Sequence, residues 1–372
     1  MALAEAAPLR TPPQTGSAFS GERLYSVDAF RGFTMICMIG EGFGLGYFLT
    51  HPIIGPIAQQ FRHTDWHGMT AWDLIQPFFM FIVGVVMPVS FARRWQNGES
   101  WNQSLLHVLK RCGLLIFWGL VARSIQAHRP VIDVINVLAQ LAFTYLVAFL
   151  VLRKSWKVQG AVALAFLVAD WAIYQFGSAP GVLGPWIKDA NIGEWLDKLI
   201  FHKNWSGSYA TINFIPSTAN TIFGVMAGEL LVSTLPLARK VRTLAIVGVS
   251  CIAIGFALDP VIPIIKKIWT PSFAIFSTGF TLLALLLFYC VCDIWKKRAW
   301  AWIFVVVGSN SIFIYLFHEI LHSWIEHTGL TFTGWIVSFW EPGGKAFNLL
   351  LAIAFQIYVC VWLYRRKIFF KL

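Results

Sequence analysis

Apolar runs recur along this chain between short polar segments, near 24–48, 70–92, 104–123, 131–152, 157–177, 211–233, 241–264, 271–292, 300–324 and 346–366. A helix needs about 20 apolar residues to cross the hydrocarbon of a bilayer. Only helices or closed barrels satisfy the backbone there, and barrel-type alternation is absent from the sequence. The pattern predicts an all-α fold, a polytopic transmembrane helical bundle of about ten spanning helices. Residues 1–22 are rich in Ala, Pro and Thr and lack an apolar h-region. They read as a disordered N-terminal tail, not a cleaved signal peptide, and 23–372 read as one transmembrane domain.

Composition supports this. The chain is 57% hydrophobic and only 13% charged, against roughly 25% charged in soluble domains. A net charge of +11 would suit a nucleic-acid partner, but the basic residues sit in short loops between apolar runs, as topology determinants do, and no nucleic acid is expected. With the N-terminus placed in the cytoplasm, the segments on that side carry roughly twice as many Lys and Arg as those opposite, so the positive-inside rule puts both termini there. Cys37, Cys112, Cys251, Cys290, Cys292 and Cys360 all fall within apolar runs. They read as small core residues, with no disulfide or zinc spacing among them.

The chemistry concentrates in FRHTDWHGMTAWDLIQPFFMFIVG, residues 61–84. A polar loop with His63, Asp65 and His67 runs there into an apolar segment that carries Asp73 near its start. Ionisable groups at a membrane edge are expensive and point to function by default. His63 suits proton transfer near neutral pH, as a general base or as a nucleophile that takes an acyl group, with Asp65 or Asp73 orienting its ring. His63 and His67 are four apart, but HTDWH lacks the glutamate of HExxH and a third ligand, so no metal is expected. On this topology the loop faces outward.

Other polar positions carry two readings each. Asp28 and Arg31 are spaced to pair on one helix face, as a membrane-edge anchor or beside an anionic ligand on the cytoplasmic side. The glycines at 40, 42, 44 and 46 do not form a dinucleotide fingerprint and read as close helix packing. Glu41 is expected about 15 Å further along the same helix than Arg31. The external segment 178–210, with Trp186, Trp195 and Trp205, reads as a carbohydrate-facing lid or an interfacial belt. Lys266, Lys267 and Trp269 form a basic and aromatic approach on the outer side. Asn310, Ser311, Tyr315, His318, Glu319 and His322 form a polar stripe that either bonds between helices or faces a cavity. No convincing internal repeat is visible, which weakens a transporter reading.

VDAFRGFT at 27–34, H-x-x-W-x-G-x-T-x-x-D-L at 63–74, P-x-F-x-F-x-x-G at 77–84, IWTPSFAI and VVGSNSIFIY occur in an order that resembles the heparan-α-glucosaminide N-acetyltransferase family and its bacterial relatives, along about 25–365. The resemblance implies a transmembrane acetyltransferase that passes acetyl from cytoplasmic acetyl-CoA to an amino sugar across the membrane, with His63 as the active histidine. His67 stands where lysosomal members have Asn, and Ala139-Gln140 where they have a Gln-Arg pair. The expected acceptor is therefore a bacterial envelope glycan or small amino sugar, and the expected location a bacterial inner membrane.

The expected machinery is His63 as base or acyl carrier with Asp73 orienting it, and His67, Asn310 and His318 at the acceptor or oxyanion. Arg31, Arg93 and Arg94 are expected at the phosphates of CoA. Acetyl-CoA is a co-substrate, the bilayer and an external glycan are partners, and a homodimer is compatible with such a bundle. The alternative is a transporter or flippase for a small sugar or lipid-linked glycan.

Overall fold

The computed structural model describes residues 24–202 and 207–370; the expected tail over 1–22 lies outside them. The apolar runs form helices α1 (Tyr25–Met38), α2 (Gly55–Gln59), α3 (Ile75–Gln96), α4 (Trp101–Gln126), α5 (Val137–Val151), α6 (Trp156–Phe176) and α7 (Ile192–Phe201). They continue as α8 (Phe214–Val232), α9 (Leu237–Leu258), α10 (Pro271–Phe288), α11 (Trp302–Ser309), α12 (Ser311–Phe339) and α13 (Glu341–Arg365). Among the described residues the extended backbone amounts to one isolated bridge, Gly68 to Ile265.

Helix starts follow local chemistry. The Ser100 side chain and Gln103 reciprocally satisfy the first turn of α4, Asn136 accepts from the Ala139 amide at α5, and Thr270 with Pro271 opens α10. Such caps satisfy amide groups that a helix start leaves without partners. α3 packs on α8, α9 on α10, α1 on α11 and α12 on α13. The α3–α8 crossing is backbone to backbone: a Cβ on Gly84 would lie 2.1 Å from the Thr221 carbonyl oxygen, and one on Gly224 2.1 Å from that of Phe81. Small residues allow this approach inside membranes. α9 keeps most of its apolar surface turned outward, with Ile254 and Phe256 exposed, as a lipid-facing helix does.

Each of the ten expected segments holds a helix, but not all reach a full span. Seven are long and apolar enough to cross a membrane, and α11 with α12, bent by 71°, would make an eighth. α1 and α5, of 14 and 15 residues, fall short.

The first segment departs most from expectation. α1 stops at Met38, and Glu41–Phe48 follows as a tighter turn with left-handed backbone at Glu41, Gly42, Phe43 and Gly44. A Cβ on Gly42 would meet the Phe61 carbonyl oxygen at 2.6 Å, and one on Gly44 would meet the Ala346 Cα at 2.9 Å. The glycines therefore break the helix instead of lining a straight one. Glu41 sits in that break, away from the axis of α1.

Candidate active site at the mouth of a polar cavity

Thr70 begins the site. Its side chain and the Asp73 carboxylate reciprocally cap the turn Ala71–Leu74 that leads into α3. Asp73 Oδ2 accepts from the Thr70 amide at 3.1 Å and from the Thr64 amide at 3.1 Å and hydroxyl at 2.8 Å, while the Thr70 hydroxyl donates to the closer Arg62 carbonyl at 2.5 Å. The carboxylate is fully buried. That leaves Oδ1 for His63, whose Nδ1 lies 2.8 Å away.

Lys266 completes the group from a distant part of the chain. Its turn is fixed by Thr270, which accepts from the Ile265 amide, and by buried Trp269, whose indole N–H donates to Asn220 Oδ1 at 2.9 Å. Lys266 Nζ lies 2.9 Å from His63 Nδ1, 3.4 Å from His63 Nε2 and 3.4 Å from Asp73 Oδ1. One imidazole nitrogen cannot both donate to Asp73 and accept from Lys266. The buried carboxylate at 2.8 Å requires a donor, so Nδ1 carries the proton and Nε2 keeps its lone pair.

His63 is 47% exposed, onto a cavity of about 540 Å³ shared with Lys266, Tyr209, Gln140, Arg123 and Glu319. That volume lies in the range of small-molecule sites. Opposite His63, Arg123 pairs with Asp133 at 3.1 Å, and Gln126 joins Arg123 at 2.9 Å to Glu319 at 2.7 Å. Surrounding protein holds the His63 pKa below the ordinary imidazole value; its bond to Asp73 works against this, and the Lys266 charge adds to it. Burial brings Lys266 down to about 8, with Asp73 resisting. At neutral pH the cavity mouth therefore holds a neutral imidazole beside an ammonium.

Neighbouring loops close around this mouth. Trp66 Nε1 donates to the Trp186 carbonyl at 2.9 Å, Lys188 reaches both Asp65 oxygens at 2.9 Å, and the Gly68 amide donates to Ile264 at 2.8 Å. Segment 178–202 is thereby tied to the His63 loop.

The other expected site residues lie elsewhere. His67 turns away to Asp259 at 2.9 Å, so the two histidines of HTDWH share no centre. The Asn310 amide sits in the α11–α12 bend, donating to the Ile368 carbonyl at 3.0 Å and accepting from the Phe370 amide at 2.9 Å. His318 bonds Gln356 at 3.2 Å. Arg94 pairs with Glu99 and approaches His107, at the opposite end of α3 from Asp73. Arg93 is exposed beside it. Arg31 donates to the Gly308 carbonyl and to Asp28. Lys266 was visible in the sequence only as part of a basic approach, because nothing local joins it to a loop 203 residues earlier.

The chain is similar to one described protein domain and to two named proteins. A domain of unknown function (DUF5009) matches residues 23–177. Heparan-α-glucosaminide N-acetyltransferase of Mus musculus is 24% identical over 95% of this chain and 61% of its own length. The Homo sapiens protein of the same name is 26% identical over 94% of this chain and 60% of its own length. The chain is similar to heparan-α-glucosaminide N-acetyltransferase. It spans about 60% of the length of these relatives, and the matched part includes the loop and helix that carry His63 and Asp73.

Proposed function

We propose that the chain is a transmembrane acyltransferase that moves acetyl from acetyl-CoA to the amino group, or secondarily a hydroxyl, of an external sugar or glycan. The observation that carries the reading is the clamped imidazole. Asp73 holds Nδ1, and Nε2 keeps its lone pair, 3.4 Å from the Lys266 ammonium, on a histidine that lines a polar cavity. The relatives' names, which specify N-acetyl transfer to a glucosaminide, supply the reaction class.

A thioester is already activated, so the protein has to deprotonate the acceptor, stabilise the oxyanion and align the substrates. The amine nitrogen attacks the thioester carbonyl while His63 Nε2 takes its proton. Negative charge gathers on the carbonyl oxygen, where the Lys266 ammonium offsets it. The C–S bond then breaks, and the imidazolium returns its proton to the leaving CoA sulfur. Alternatively, Nε2 attacks the thioester carbonyl itself, the C–S bond breaks and CoA leaves as thiolate; the amine then takes the acetyl from Nε2, the N–C bond to the imidazole breaks, and the amine's proton passes to the CoA sulfur. Asp73 keeps the ring in one tautomer through either route.

Arg93, exposed at the far end of α3, is assigned to the CoA phosphates, because Arg31 and Arg94 already have partners within the fold. The orientation is a cytoplasmic Arg93 end and an outward His63 end, in a bacterial cytoplasmic membrane. The test is release of free CoA by purified protein given acetyl-CoA, with and without glucosamine, beside a folded His63→Ala variant. Amine-dependent release lost in the variant supports the reading. Substrate accumulation in vesicles without any acyl donor would replace it with transport.

A further inference from the structure

A second polar cluster lies apart from the cavity lining. Glu41, in the left-handed break after α1, reaches His318 and His322, one turn apart on α12. His322 Nε2 is 3.1 Å and His318 Nε2 3.6 Å from the same oxygen, Glu41 Oε1. The three donor atoms lie within 4.8 Å of one another. Both histidine side chains are 11% exposed, and the Glu41 side chain is half-exposed.

His318 Nδ1 lies 3.2 Å from the Gln356 amide, and the nitrogen of that amide has no other partner. The Nε2 atoms of both histidines converge on the same Glu41 oxygen, so one cation placed there meets a lone pair from each imidazole and one from the carboxylate. His322 Nδ1, buried, has no hydrogen-bond partner.

We propose that Glu41, His318 and His322 bind a divalent transition-metal ion of the Zn²⁺ class. Ligands about 2.0–2.1 Å from zinc in a tetrahedron stand ~3.3 Å from one another, and the two imidazole–carboxylate separations straddle that spacing. Two imidazoles with one carboxylate suit zinc better than calcium or magnesium, which take oxygen shells. Gln356 orients His318 as an outer partner fixes a metal-bound imidazole. Glu326 Oε2, 3.5 Å from His322 Nε2, stands ready as a fourth ligand.

The ion fastens the break after α1 to α12. Phe43, two residues after Glu41, packs its ring on Phe61 at 6.4 Å and Trp72 at 5.7 Å. Those rings flank the loop that bears His63 and Asp73. The ion is thus a staple behind the catalytic loop, and the inference does not depend on the acyltransferase reading.

The test uses tag-free, full-length protein in detergent, stripped with chelator and titrated with zinc chloride, with bound metal measured by plasma mass spectrometry. The expected result is one zinc per chain. His63→Ala should keep it, while His322→Ala and Glu41→Gln should weaken binding by at least about tenfold. Cobalt(II) should give the visible bands of a four-coordinate ion in wild type and lose them in Glu41→Gln. That conservative change at a half-exposed side chain carries the decision if His322→Ala does not fold. Wild type that stays metal-free at micromolar zinc, or Glu41→Gln that binds as wild type does, would overturn the proposal.

Discussion

His63 and His67 stand four residues apart in one loop, and each meets an aspartate at nearly the same distance, 2.8 Å for Asp73 and 2.9 Å for Asp259. The two pairs differ in everything around that contact. Asp73 is fully buried and accepts three further hydrogen bonds from two threonines, whereas Asp259 is 25% exposed and the His67 side chain 58%. Asp259 holds its own loop, where it also accepts from the Ile264 amide at 2.7 Å. A His–Asp distance alone therefore does not define a base. A carboxylate fixed on every side, holding an imidazole that lines a cavity, has the attributes of one.

Substitution separates the two pairs, and the largest effect is expected at His63. His63→Ala should lower amine-dependent CoA release by about 10²–10⁴-fold, the usual worth of a positioned acid–base group, while the protein stays folded. Asp73→Ala should damage both activity and fold. It orphans the Thr64 and Thr70 donors and the buried Lys266, and breaking a buried charge pair costs about 3–5 kcal/mol, to be read as a fall in midpoint of thermal unfolding. Lys266→Met should act mainly on kcat, by about 10²-fold, as removal of an oxyanion-stabilising charge does.

The pH profile sharpens the distinction. Transfer needs His63 neutral, so the rate should rise as pH climbs through a midpoint below about 6.5, the ordinary imidazole value. It needs Lys266 charged, so the rate should fall as pH climbs through about 8. In Lys266→Met the alkaline fall should vanish and the acid midpoint move upward, because a neighbouring positive charge that depresses the imidazole is gone. A profile unchanged by that substitution would remove Lys266 from the chemistry. The smallest effect is reserved for His67→Ala: activity within about threefold of wild type and stability within ~0.5 kcal/mol, as for an exposed side chain. A loss comparable to that of His63→Ala would erase the contrast between the pairs.

How much of this was legible in the sequence depends on the reach of each contact. The helical segments were, because apolar length is a local property. The His63–Asp73 pair was close to legible, since ten residues and one capped turn separate the partners. Lys266 was not, because the tertiary fold alone brings its amine back to His63 and Asp73. The break after α1 hid behind apolar residues: Phe43 and Leu45 continue the hydropathy of a helix, while the left-handed backbone at Gly42 and Gly44 ends it. Asn310 belongs to the polar stripe for which the sequence leaves two readings, bonding within the bundle or facing a cavity. Its partners proved to be backbone groups at Ile368 and Phe370, sixty residues on and invisible to any local pattern.

That amide has a consequence for how the protein is made. The elbow between α11 and α12 is locked by atoms that do not exist until residue 370 has been synthesised. The C-terminal residues therefore act as part of the elbow: the Ile368 carbonyl and the Phe370 amide hold the side chain that sits at the bend.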